Sequence, residues 1–119
     1  MLTLPPSVRI FLAVEPTDMR GSFDSLAGRV RALGLDPQDG HLYVFVNRRR
    51  RIMKVIFFDR SGWVILAKRL ELGTFQIPQV RPGQRRVGID AAELALILEG
   101  IDLSSAPRRR RFRRGGASR

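Results

Sequence analysis

At 119 residues, 44% of them hydrophobic, the chain has room for one globular domain with one modest core. It has no cysteine, which excludes disulfides, thiol catalysis and cysteine metal sites. Its single histidine, His41, cannot form a histidine cluster, so neither a metal nor any other cofactor is expected. Against 11 Asp+Glu stand 22 Lys+Arg, a net charge of +11, and such a balance calls for an anionic partner: nucleic acid, an anionic membrane surface or an acidic protein.

The position of that charge matters more than its size. Residues 104–119 hold seven arginines and no acid, which leaves residues 1–103 with 15 basic and 11 acidic side chains. The body is mildly basic and the tail extremely so. No apolar run approaches the ~20 residues that span a bilayer, and no membrane partner is expected. The first nine residues lack the basic start, apolar middle and small-residue cleavage site of a signal peptide. A cytoplasmic, reducing location is therefore expected.

In chain order, residues 8–14 (Val-Arg-Ile-Phe-Leu-Ala-Val) predict a strand between Pro5-Pro6 and Glu15-Pro16. Thr17-Asp18-Met19-Arg20-Gly21 is too polar to continue it. Phe23, Leu26, Ala27, Val30 and Leu33 then fall on one helical face, with Ser22 placed as N-cap and Gly34 as the C′ residue. After the turn residues Asp36-Pro37-Gln38-Asp39-Gly40 come three strands, at 42–46, 52–58 and 63–69, rich in β-branched and aromatic residues. Their spacers of five and four residues fit hairpin loops, so an antiparallel meander is expected. Its aromatics, Trp63, Tyr43, Phe45, Phe57 and Phe58, are read as core.

Residues 73–88, with Pro78, Pro82 and Gly83 among polar residues, predict a long loop with a short strand near 74–77. Asp90-Ala91-Ala92-Glu93 has the spacing of a capping box. Leu94, Ile97, Leu98 and Ile101 mark the apolar face of the helix it opens, which Gly100 at C′ and Ile101 at C″ close. The run from Arg108 cannot bury enough apolar surface to fold. The fold class expected is α+β in the order β-α-β-β-β-α: a mostly antiparallel sheet of about four strands covered by two helices. One domain spans 1–103, followed by a disordered basic tail at 104–119. The strands are nearly continuously apolar, which implies cover on both sheet faces, by helices or by a second copy of the chain.

Four ordered blocks carry a resemblance. They are Thr17-Asp18-Met19-Arg20 with Phe23-Asp24 and Leu26; Gly40-His41-Leu42-Tyr43-Val44-Phe45 leading into Asn47-Arg48-Arg49-Arg50; Phe57-Phe58-Asp59 with Gly62, Ala67-Lys68-Arg69-Leu70-Glu71 and Gly73-Thr74-Phe75; and residues 94–102, including Leu98-Glu99-Gly100-Ile101-Asp102. From about residue 4 to 102 the chain resembles the small accessory protein of the insertion-sequence sixty-six family, the product of its second open reading frame, called TnpB. It departs from that pattern at Gly21, where lysine is usual, and at Phe57-Phe58, where paired tryptophans are usual. The resemblance implies a role in DNA transposition beside a separate transposase in a bacterial cytoplasm, and no agreed biochemical activity.

The candidate nucleic-acid-binding residues are Arg48, Arg49, Arg50 and Arg51 in the first hairpin loop, Lys54, Lys68 and Arg69 beside it, and Arg108, Arg109, Arg110 and Arg111 in the tail. Four like charges in one short loop repel one another unless an anion intervenes, and guanidinium forks suit phosphate. The bland alternative is a solvated loop that keeps a sheet end soluble. Thr17, Asp18, Met19 and Arg20 form a motif of uncertain role, either a structural Asp–Arg clasp at a strand-to-helix turn or a phosphate contact. A metal nuclease would need converging carboxylates, but Asp59 reads as a turn residue, Asp90 as a helix cap and Asp24 as an exposed helix position. The residue two before Lys68 is Leu66, not an acid. A non-catalytic protein is expected, binding DNA. The transposase of the same element and a second copy of the chain are further candidate partners. The rival class is a protein-interaction adaptor that touches no DNA.

Overall fold

The structure, a computed structural model, describes residues 4–100. Seven elements follow one another: β1 (Ile10–Ala13), α1 (Phe23–Ala32), β2 (Leu42–Val46), β3 (Ile52–Phe58), β4 (Trp63–Arg69), β5 (Arg86–Ile89) and α2 (Ala91–Leu98). One five-stranded sheet runs in the order β4-β3-β2-β1-β5. The meander β2-β3-β4 is antiparallel, with Val44 opposite Val55 and Ile56 opposite Ile65. β1 lies parallel to β2, Phe11 opposite Tyr43, because a helix intervenes between them and a parallel pair needs such a crossover.

The sheet is therefore mixed, and it has a fifth strand that the sequence does not announce. β5 pairs antiparallel with β1, Leu12 opposite Val87. Its residues, Arg-Val-Gly-Ile, carry too much charge and too little bulk to read as a strand, yet they suit an edge, where a cation discourages further pairing. The strand expected near 74–77 is instead irregular chain. The Phe75 amide bonds to the Arg50 carbonyl in the hairpin turn, and the fully buried Phe75 ring fills the core. That burial stabilises by ~1.5–3 kcal/mol.

Alternation along each strand sorts the apolar residues into two layers. Ile10, Leu12, Leu42, Val44, Val46, Met53 and Val55 join Phe75, Leu94 and Ile97 on the α2 face. Ala13, Tyr43, Phe45 and Ile56 join Leu26 and Val30 on the α1 face. Every residue of β2, the middle strand, is buried, which explains its unbroken apolar run. Phe23, placed on the apolar face by its spacing, is instead 44% exposed, in the first turn of α1. Ser22 occupies the N-cap position without a side-chain cap bond.

Asp90 and Glu93 form the full reciprocal capping box at α2. Gly34 and Gly100 take positive φ just past their helices, where a side chain would be strained. Ile101 lies outside the described residues. Cations meet both helix C-termini: Arg86 Nη1 donates to the Leu33 carbonyl, and Lys68 Nζ donates to the Leu98 carbonyl at 2.8 Å. Each sits where the helix dipole is negative. His41, immediately before β2, accepts the Arg9 amide at Nδ1, 2.9 Å. Among the described residues, no helix is long and apolar enough to cross a membrane.

Candidate nucleic-acid interface

The hairpin turn between β2 and β3 is organised by one side chain. Asn47 Oδ1 accepts the amides of Arg51 (2.9 Å) and Ile52 (3.1 Å), while the Arg50 amide returns to the Asn47 carbonyl at 2.9 Å. This closes a tight turn in which Arg50 takes a left-handed conformation, φ 58°. The geometry divides the four arginines. Arg48 and Arg49 line a groove, whereas Arg51 Nη2 turns back to the carbonyls of Leu70 (3.2 Å) and Glu71 (3.0 Å). Arg50 contributes backbone, its carbonyl accepting from Phe75.

The opposite wall of the groove is the β1–α1 loop. The Thr17 amide is fixed to the Val46 carbonyl at 2.9 Å, and the residue is 3% exposed, its hydroxyl unpartnered. Asp18 and Arg20 form the clasp that one reading of the motif expects. Asp18 Oδ1 accepts the Arg20 amide, and both carboxylate oxygens accept from the guanidinium, Nη2 to Oδ2 at 2.6 Å. Those bonds to Arg20 lower the Asp18 carboxyl to about 2, helped by the more distant charge of Arg29.

Lys54 completes the anchoring. Its Nζ donates to the carbonyls of Met19 (2.8 Å) and Gly21 (3.0 Å). The sequence marks Lys54 as a phosphate ligand, but half-buried on β3 its ammonium group staples the loop to the sheet, because the loop carbonyls lie within its reach.

The groove between these walls has a volume of about 730 Å³ and carries four arginines: Arg48 and Arg49 from the hairpin, Arg20 from the loop and Arg29 from α1. Arg20 is neutralised by Asp18. Arg29, Arg48 and Arg49 are exposed and have no carboxylate partner among the described residues. Arg29 was invisible as a site residue, since a lone arginine on the polar face of a helix reads as solvated. Only the packing of α1 beside the hairpin brings it there.

Two further candidates lie elsewhere. Lys68 caps α2 and lies 3.9 Å from Glu99, and Arg69 lies 3.5 Å from Glu71. Arg108, Arg109, Arg110 and Arg111 are outside the described residues. Of the acids weighed for catalysis, Asp59 accepts the Ser61 and Gly62 amides, bonds that lower its carboxyl, and Asp90 caps its helix. No group of three or more histidine or acidic side chains converges on a metal position among the described residues.

The family described as IS66 Orf2 like protein matches residues 8–108. Two relatives come from Sinorhizobium fredii (strain NBRC 101917 / NGR234). The chain is 42% identical over 103 residues to the uncharacterized protein y4hO, covering 86% of this chain and 88% of that one. It is 32% identical over 103 residues to the uncharacterized protein y4jC, covering 86% of each. No solved structure matches. With a family match over most of its length, and relatives aligned over 86% of it at these identities, the chain belongs to the IS66 Orf2 like family.

Proposed function

We propose that this protein is a non-catalytic, cytoplasmic accessory factor of insertion-sequence transposition that binds nucleic acid through its backbone phosphates. Family membership supports the transposition role. The binding role rests on one observation: three exposed arginines, Arg29, Arg48 and Arg49, line one groove, and none of them makes an ion pair with a carboxylate among the described residues. Like charges held together on a rigid frame leave a positive field that a polyanion relieves, and releasing its counterions drives association. The arginines from Arg108 onward add reach and local concentration.

The test is a titration of labelled oligonucleotide at several salt concentrations with the wild type and with Arg48→Glu/Arg49→Glu. Loss of two phosphate contacts flattens the plot of log K against log salt by about 1.5–2 units. A wild-type slope near zero, or an unchanged slope in the variant, overturns the reading.

The adaptor reading is favoured by a different surface. β4 is an edge strand whose Leu66 is 46% exposed, Leu72 just beyond it is 88% exposed, and an apolar groove runs between β4 and α2. A transposase or a second copy of this chain is the partner that reading supplies.

A further inference from the structure

We infer that the arginine groove grips a single strand of nucleic acid, its phosphates held between Arg29 on one wall and Arg48 and Arg49 on the other, rather than a double helix. This rests on the nucleic-acid reading above and deepens it. A β hairpin that reads duplex DNA does so by protruding into the ~12 Å-wide major groove. This one does not protrude. The Arg50 carbonyl is tied to Phe75, the Leu70 amide bonds the Arg51 carbonyl, and the Arg51 guanidinium holds the carbonyls of residues 70 and 71. On its other side the β1–α1 loop rises to form the facing wall, anchored by Lys54 and by the Thr17 amide.

The cations therefore line a concavity. It is an open groove of about 730 Å³, within the ~300–1,000 Å³ of sites that hold a ligand of modest size. On this proposal a flexible strand reaches both walls of the groove, whereas a rigid duplex meets only its rim. Pro16, Met19 and Ile52 supply apolar lining against which bases can rest. Among the described residues no aromatic ring lines the groove, so the grip proposed is on phosphates rather than on stacked bases. Asp18, the acid of the groove, is already engaged by Arg20.

The experiment uses the full chain and one DNA sequence of about 12 nucleotides, offered single-stranded, annealed to its complement, and as the RNA equivalent. Arg29→Gln is compared with Arg31→Gln, an equal charge loss on the same helix outside the groove, and with Arg48→Gln/Arg49→Gln. The arginines beyond residue 107 are common to every variant, so differences report the body of the protein. Arg29→Gln is expected to weaken single-strand binding about fivefold and reduce its salt slope by about 0.7, to leave duplex binding near that of Arg31→Gln, and to preserve the melting temperature. The DNA and RNA arms show which sugar the strand carries. Equal losses on single strand and duplex, or no effect of Arg29→Gln beyond that of Arg31→Gln, overturn the groove. If Arg48→Gln/Arg49→Gln also changes nothing, the nucleic-acid reading itself falls.

Discussion

At the scale of single residues, the hairpin turn shows how backbone geometry decides what a side chain can do. Arg50 sits at φ 58°, a conformation that costs a residue with a Cβ ~1–2 kcal/mol and costs glycine almost nothing. Its backbone closes the turn at the amide and accepts from Phe75 at the carbonyl, and both bonds survive any side chain. Arg50→Gly is therefore expected to leave stability unchanged or raise it by up to ~1 kcal/mol, relief of strain being partly offset by the freer unfolded chain. Urea unfolding measures this, and a loss above that size would show that the arginine side chain stabilises the turn. Because Arg50 does not line the groove, the same variant should keep most of its affinity for oligonucleotide. Four consecutive arginines thus have at least three fates, and only the positions of Asn47 and Phe75 tell them apart.

At the scale of elements, α2 depends on its N-terminus. The helix has eight residues, seven of them apolar, and so short a helix is marginal without its cap and its packing. Asp90 accepts the Glu93 amide at 2.7 Å, and the Asp90 amide returns to Glu93 Oε1 at 2.9 Å. Asp90→Ala is expected to cost ~1 kcal/mol, seen as a lower urea midpoint with the slope unchanged. A neutral result would mean that Leu94 and Ile97 hold α2 on the sheet unaided. Both helices and the meander were legible because apolar periods of about 3.6 and 2 mark what must be buried. β5 was not: Arg86 and Gly88 are placed by pairing with β1, a long-range condition that no local pattern records. Phe75 misled in the opposite direction, its apolar neighbourhood suggesting a strand where its ring serves as a plug. The candidate site was legible in part for the same reason. The charge of Arg48 and Arg49 is visible in the chain, but the convergence of Arg29, the diversion of Arg51 and the internal use of Lys54 are consequences of packing.

At the scale of the molecule, the sheet separates two surfaces. Strand alternation puts Ile52 and Lys54 on the α1 side, where the arginine groove forms, and Met53, Val55 and Leu66 on the α2 side, where the apolar groove forms. Among the described residues the two grooves share no lining residue, and substitutions at distant sites with no common partner act nearly independently. The nucleic-acid and adaptor readings can therefore be parted in one crossed experiment. Leu66→Lys places a charge on the free edge of β4, a change that opposes strand pairing and apolar docking, and since Leu66 is already 46% exposed it should disturb the fold little. The variant is expected to bind oligonucleotide as the wild type does, within twofold. If the edge docks a partner, it loses capture of the transposase, or any self-association seen by sedimentation. Arg48→Glu/Arg49→Glu should do the reverse. Were Leu66→Lys to weaken oligonucleotide binding while its melting temperature held, the two faces would be acting as one site, and the separation imposed by strand alternation would not govern function.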